Sequence, residues 1–136
     1  MSEQLSVLRD GKNRASGKFS GCVDSTQFLE ANDVWIHTTS KEHWISGSKN
    51  NNNWIVFAIP NTLSGDGPHK VDFYESGLGW EALIDKVRNP VVAGWVTVAF
   101  KIKDAKRSGV EGNVNFVLKD GRNVTGFFDI NSDQPL

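Results

Sequence analysis

A single cysteine, Cys22, stands in this chain of 136 residues. One thiol cannot close an internal disulfide, so no covalent framework directs the fold. A basic excess is also missing. Fifteen Lys and Arg face sixteen Asp and Glu, and the one dense basic group is Lys101, Lys103, Lys106 and Arg107. Nucleic-acid binding domains present a basic face, so nucleic acid is not expected as a partner. No apolar run approaches the roughly 18 residues of a membrane-spanning helix, so no membrane partner is expected. The opening residues 1–13 have neither the basic start nor the apolar stretch of a secretory leader, and the expected location is the cytoplasm. No cofactor signature is present either, and none is expected.

What remains is an ordinary globular composition, 38% hydrophobic and 23% charged. A chain of this length buries roughly two-thirds of its unfolded surface, enough for one core without staples. The ordering principle is alternation with period two, the mark of a half-buried strand. It is clearest at the end. Val110, Gly112, Val114, Phe116 and Leu118 share one face, opposite Glu111, Asn113 and Asn115, and the phase resumes in Val124, Gly126, Phe128 and Ile130. A three-residue Lys119–Asp120–Gly121 loop with left-handed Gly121 keeps that phase and sets Phe116 against Val124. A two-residue loop would oppose apolar and polar residues.

Other segments follow the same rule. Ala15, Gly17, Phe19, Gly21 and Val23 form a first strand, and residues 34–39 alternate again. Residues 43–47 and 53–59 flank an asparagine-rich turn. A Gly/Pro loop over 60–68 precedes a strand at 70–75. The longest strand runs over 91–103, with Val92, Gly94, Val96, Val98, Phe100 and Ile102 in phase, before a charged loop at 104–109. Residues 27–33 read as a loop or a short helical turn. In 80–88, Trp80, Leu83, Ile84 and Val87 have helical spacing ahead of Asn89-Pro90, and helix and strand both stay open. The expected architecture is all-β: one antiparallel sandwich or flattened barrel of eight to ten strands, with a short helix at 80–88 as an option. Residues 1–13 read as a tail or edge segment, 14–131 as the single β domain and 132–136 as a tail. Phe116, Phe128, Val96, Val98 and Phe100 are the expected core.

The closing sequence GNVNFVLKDGRNVTGFFDI, residues 112–130, resembles the last hairpin of small bacterial all-β domains of unknown function. These are often lipoproteins with a sandwich or lipocalin-like fold. The segments ASGKFS (15–20) and WIVFAIP (54–60) are similar too, and the likeness covers about half the chain. The lipobox and signal usual in such proteins are missing here. The resemblance implies strand rather than helix near Trp80, and no known activity.

Tryptophan is the compositional outlier, with five. Trp44 and Trp54 flank the run Asn50, Asn51, Asn52 and Asn53. An aromatic ring covers the apolar face of a sugar, and amides pair with its hydroxyls. The functional expectation is therefore a non-catalytic binding or interaction domain with carbohydrate as leading ligand, at Trp44, Trp54 and Asn50–Asn53. The competing reading is that these residues are packing and a solvated turn. Alternatives are a lipocalin-like barrel holding a small apolar ligand, or a hydrolase on a β scaffold.

Other constellations have less grammar. His37, Glu42 and His43, with His69 and Asp72, match no compact zinc spacing. Glu30, Asp33, Glu75, Glu81 and Asp129 could supply a glycosidase pair only at the right separation. Cys22 has no base near it in sequence.

Overall fold

The structure, a computed structural model, describes residues 3–136. Ten strands follow one helix: α1 (Glu3–Leu8), β1 (Arg14–Val23), β2 (Thr26–Ala31), β3 (Asp33–Thr38), β4 (Glu42–Lys49), β5 (Asn53–Pro60), β6 (His69–Asp72), β7 (Glu81–Ile84), β8 (Val87–Lys103), β9 (Lys106–Leu118) and β10 (Asn123–Asn131). Eight strands close an antiparallel barrel and two lie outside it. The barrel order is β1-β3-β4-β5-β7-β8-β9-β10, closed by β10 on β1; β2 flanks β1, and β6 flanks β8.

Two strands serve both sheets of the barrel. β1 pairs with β3 through Arg14 and Ala15, then with β10 from Ser16 onward. β8 pairs with β7 through Val87 to Pro90, then with β9. Gly94, just past that corner, has φ +114°. A Cβ there would sit 2.1 Å from the Asn115 carbonyl oxygen. The neighbouring strand approaches that closely only because the side chain is missing.

The closing hairpin has the expected register: Phe116 faces Val124, Val114 faces Gly126 and Gly112 faces Phe128. Gly121 has φ +92°, and its N–H donates to the Leu118 carbonyl at 2.9 Å. The five expected core residues are all buried.

Other expectations are corrected. Residues 27–33 belong largely to an edge strand, β2, because Asp24 and Ser25 both take positive φ and fold the chain straight back onto β1. Of the two states left open over 80–88 the structure takes strand, as a hairpin with Asp85 and Lys86 in the same left-handed turn. Every residue of β7 is buried, since the barrel core covers one face and α1 with Leu78 the other. A run buried on both sides loses its alternation, so periodicity cannot separate it from a helix. The loop expected over 104–109 shrinks to a two-residue turn at Asp104 and Ala105. Along β8 the phase holds only from Val96 to Phe100. Register shifts at Val91/Ala93 and Lys101/Ile102 turn Val92 and Ile102 outward.

The segments read as tails are ordered where described; Met1 and Ser2 lie outside the described residues. Leu5 and Leu8 of α1 pack with Trp54, Val56, Leu78 and Leu83 into a second apolar cluster, on the outer face of the sheet. At the other end, Ser132 and Leu136 donate backbone hydrogen bonds to Ser108 and Arg107. No helix among the described residues is long and apolar enough to cross a membrane.

Candidate functional site

The β4–β5 register separates the two tryptophans expected to lie together. Trp54 pairs with Ser48 and Trp44 with Ala58. They share the outer face but stand four residues apart along it, about 14 Å at strand rise. Trp54 is 6% exposed. The Arg9 guanidinium lies 4.3 Å over its ring, and the Trp54 indole N–H donates to Glu81 at 3.3 Å.

The asparagines beside Trp54 build the turn. Asn50 and Asn51 take positive φ, a conformation this residue type tolerates. The Asn51 amide oxygen accepts from Arg9, the Asn52 carbonyl from the Lys86 N–H, and the Asn53 amide oxygen from the Asp85 N–H. These contacts tie the β4–β5 turn to α1 and to the β7–β8 turn. Trp54 and Asn50–Asn53 therefore form no common site with Trp44. The physical cause is register, which only strand pairing sets.

Trp44 lies at the other end, beside a carboxylate that sequence reasoning did not connect with it. Glu42 is 7% exposed. Its Oε1 accepts from the Trp44 indole N–H and the Gly77 backbone N–H, both at 2.8 Å, and its Oε2 accepts from the Tyr74 hydroxyl at 2.9 Å. Burial and this hydrogen bond hold the Tyr74 phenol above its ordinary ionisation range. Glu42 and Trp44 stand at i and i+2 on one strand, hence on one face, and that spacing is the signal available in sequence. The strand expected over 70–75 ends at Asp72, and the loop that follows it brings Tyr74 to them.

Glu42 thus pins an indole, a phenol and a loop at one point. The rings border an open groove of about 470 Å³, lined also by Thr39, Ser40, Lys41, Pro60, Glu75 and Ser76. Both ring polar atoms are held, so the rings are pre-positioned and a ligand need not order them. His37 backs Trp44, ring to ring at 5.4 Å. Burial, with Lys12 adding, lowers the His37 pKa.

Removing the clamp is expected to be costly. Glu42→Ala strips three donors of their acceptor, each worth about 1–3 kcal/mol when unsatisfied and buried. Water entering the groove will replace part of that, so a net loss of about 2 kcal/mol is expected in denaturant unfolding. Tyr74 is the chain's one tyrosine, so ultraviolet titration reads it directly. Its ionisation should move to lower pH in Glu42→Ala; an unmoved titration would show that Glu42 does not hold the phenol.

A wider opening of about 760 Å³ lies near the C-terminus, lined by Lys103, Asp104, Lys106, Arg107 and Asp133 among others. It has no aromatic wall, and Arg107 is committed to the Leu63 and Gly65 carbonyls at 2.8 Å each. The Trp44 groove, with its fixed rings, is the better-built site despite its smaller size.

The remaining candidates disperse. His43 is buried, bonded to Thr38 at 2.8 Å, and burial lowers its pKa, with Arg107 adding. His69 bonds the Gly65 carbonyl. No group of three metal-ligating side chains forms among the described residues. Of the carboxylates, Asp33, Glu81 and Asp129 pair with Arg14, Arg88 and Lys101, while Glu30 and Glu75 are exposed. Cys22 is a half-buried free thiol on the outer face of β1. No protein-family model, no curated protein and no solved structure matches this chain.

Proposed function

We propose that this chain is a non-catalytic binding domain whose ligand is a carbohydrate, received in the groove at Trp44 and Tyr74. The observation carrying the reading is the Glu42 clamp: two aromatic rings fixed by one buried carboxylate at the edge of a groove with hydroxyl, carboxylate and ammonium groups around it. A sugar offers an apolar ring face to the aromatics and hydroxyls to Ser40, Lys41, Glu75 and Ser76. Glu42 has an acceptor role toward three donors already, which suits positioning and not proton transfer.

The apolar-ligand reading has less support, because rings fill the barrel axis. Phe57 lies 5.3–6.2 Å from Phe19, Trp80, Phe116 and Phe128, centroid to centroid. A lumen ligand would have to displace them. The hydrolase reading has less support because, of the two carboxylates on the groove, Glu42 and Glu75, Glu42 is buried and already accepts from Trp44, Gly77 and Tyr74.

Tryptophan fluorescence, titrated with mono- and disaccharides of glucose, xylose and N-acetylglucosamine, tests the proposal. A saturable change is expected. Trp44→Ala should abolish it while the protein keeps its melting transition, with Trp54 left in place as part of the apolar cluster. A change that survives Trp44→Ala, or no change with any of these sugars, would overturn the groove assignment.

A further inference from the structure

We propose that the outer face of β1, β10, β9, β8 and β6 is a second carbohydrate site, for an extended and uncharged glycan chain. The inference rests on the carbohydrate reading above but uses a different surface. Strand register lays out two adjacent rows. One runs Cys22, Thr125, Asn115, Trp95, Asp72; the next runs Ser20, Phe127, Asn113, Thr97, Lys70. Trp95 and Phe127 are exposed, at 37% and 44%.

Trp95 is the most exposed of the five tryptophans, and Trp95 and Phe127 are the aromatic side chains the fold leaves most open. The side chains of Thr97, Asn113, Asn115 and Thr125, between the rings, make no hydrogen bond to any described residue. They offer amide and hydroxyl donors and acceptors with unfilled capacity. A protein interface would call for an apolar centre; here the centre is amides and hydroxyls between two rings, which a polyhydroxylated ligand matches.

Charge sets the ligand class further. The field between the rings carries no charge. Lys18, Lys70, Lys101, Asp72, Glu111 and Asp129 stand around it, with Lys101 and Asp129 paired. A polyanion would need cations at the centre, so a neutral chain fits better. Trp95 and Phe127 lie two strands apart and one row apart, about 12 Å between Cα atoms by sheet spacing. One sugar ring cannot cover both. Lys70 and Lys18 approach the two rings at 4.8 and 5.4 Å. Such exposed cation–π contacts are weak, and a stacking sugar can replace them.

Binding of cellohexaose, xylohexaose and chitohexaose, measured by calorimetry, tests this. At least one hexaose should bind more tightly than its disaccharide. Trp95→Ala and Phe127→Ser should each weaken that hexaose by about tenfold, with a cooperative unfolding transition retained because neither side chain belongs to the core. Trp44→Ala should leave hexaose binding at this face intact while removing disaccharide binding in the groove, so the two assignments fail separately. The lone thiol gives an independent footprint: bound hexaose should slow labelling of Cys22, and Trp95→Ala should cancel the protection. Absence of binding by all three hexaoses would overturn the proposal, as would equal weakening by Trp44→Ala. A concentration-dependent dimer that Trp95→Ala dissociates would also overturn it, by making the face an interface between copies.

Discussion

Phe57→Ala is expected to lower the unfolding free energy by roughly 3–5 kcal/mol, the usual cost of removing a fully buried phenylalanine. Phe57 is wholly buried and stands at the centre of the interior, with rings from β1, β9, β10 and the residue before β7 around it. Four surrounding rings, each on a different backbone segment, cannot all collapse into the gap. Domains of this size are stable by only about 5–15 kcal/mol, so the variant will lie near its unfolding threshold. Phe57→Leu, which fills much of the volume, should lose less and keep the protein measurable. The check is the urea midpoint at unchanged slope. A loss below about 1 kcal/mol for Phe57→Ala would mean that the interior is loose enough to hold a ligand, and the apolar-lumen alternative would gain support.

Gly94→Ala should cost about 2–6 kcal/mol. Left-handed strain at φ +114° accounts for roughly 1–3 kcal/mol, and the Cβ contact with the Asn115 carbonyl forces β8 and β9 apart at a further cost of about 1–3 kcal/mol. Gly121→Ala supplies the control. That glycine also has positive φ, +92°, but a Cβ there would meet nothing within 4 Å. It should show only the conformational part. The difference between the two variants, read from denaturant midpoints, isolates the close approach at the barrel corner. Equal losses would remove the steric argument and leave Gly94 as an ordinary turn-like glycine.

Much of the fold was legible where residues act locally. The closing hairpin could be read to its register, because the alternation on both strands and the Asp-Gly signal constrain the same loop. The core residues of β8, β9 and β10 followed from the same phase. The 80–88 stretch stayed open between helix and strand for a physical reason: coverage of 81–84 on both faces erases the polar half of the pattern. The edge strand β2 was missed because Thr26, Gln27 and Glu30 are solvent-facing, and its Asp24–Ser25 turn lacks the glycine that usually announces such a turn. Residues 3–13 looked like a tail because α1 is too short to show a face, and Leu5 and Leu8 acquire a partner surface only when β3, β4, β5 and β7 are assembled.

The candidate site divides along the same line. The sequence by itself determined that Trp44 and Trp54 flank one hairpin turn. It also determined that asparagines would make the turn. Tertiary structure decided that the two rings stand about 14 Å apart, that α1 and Arg9 bury Trp54, and that the loop carrying Tyr74 closes onto Glu42 beside Trp44. Local chemistry sets which way a side chain points, because φ and ψ alone define the pleat. Which side chains meet depends on pairing between segments far apart in the chain, and no single segment carries that information.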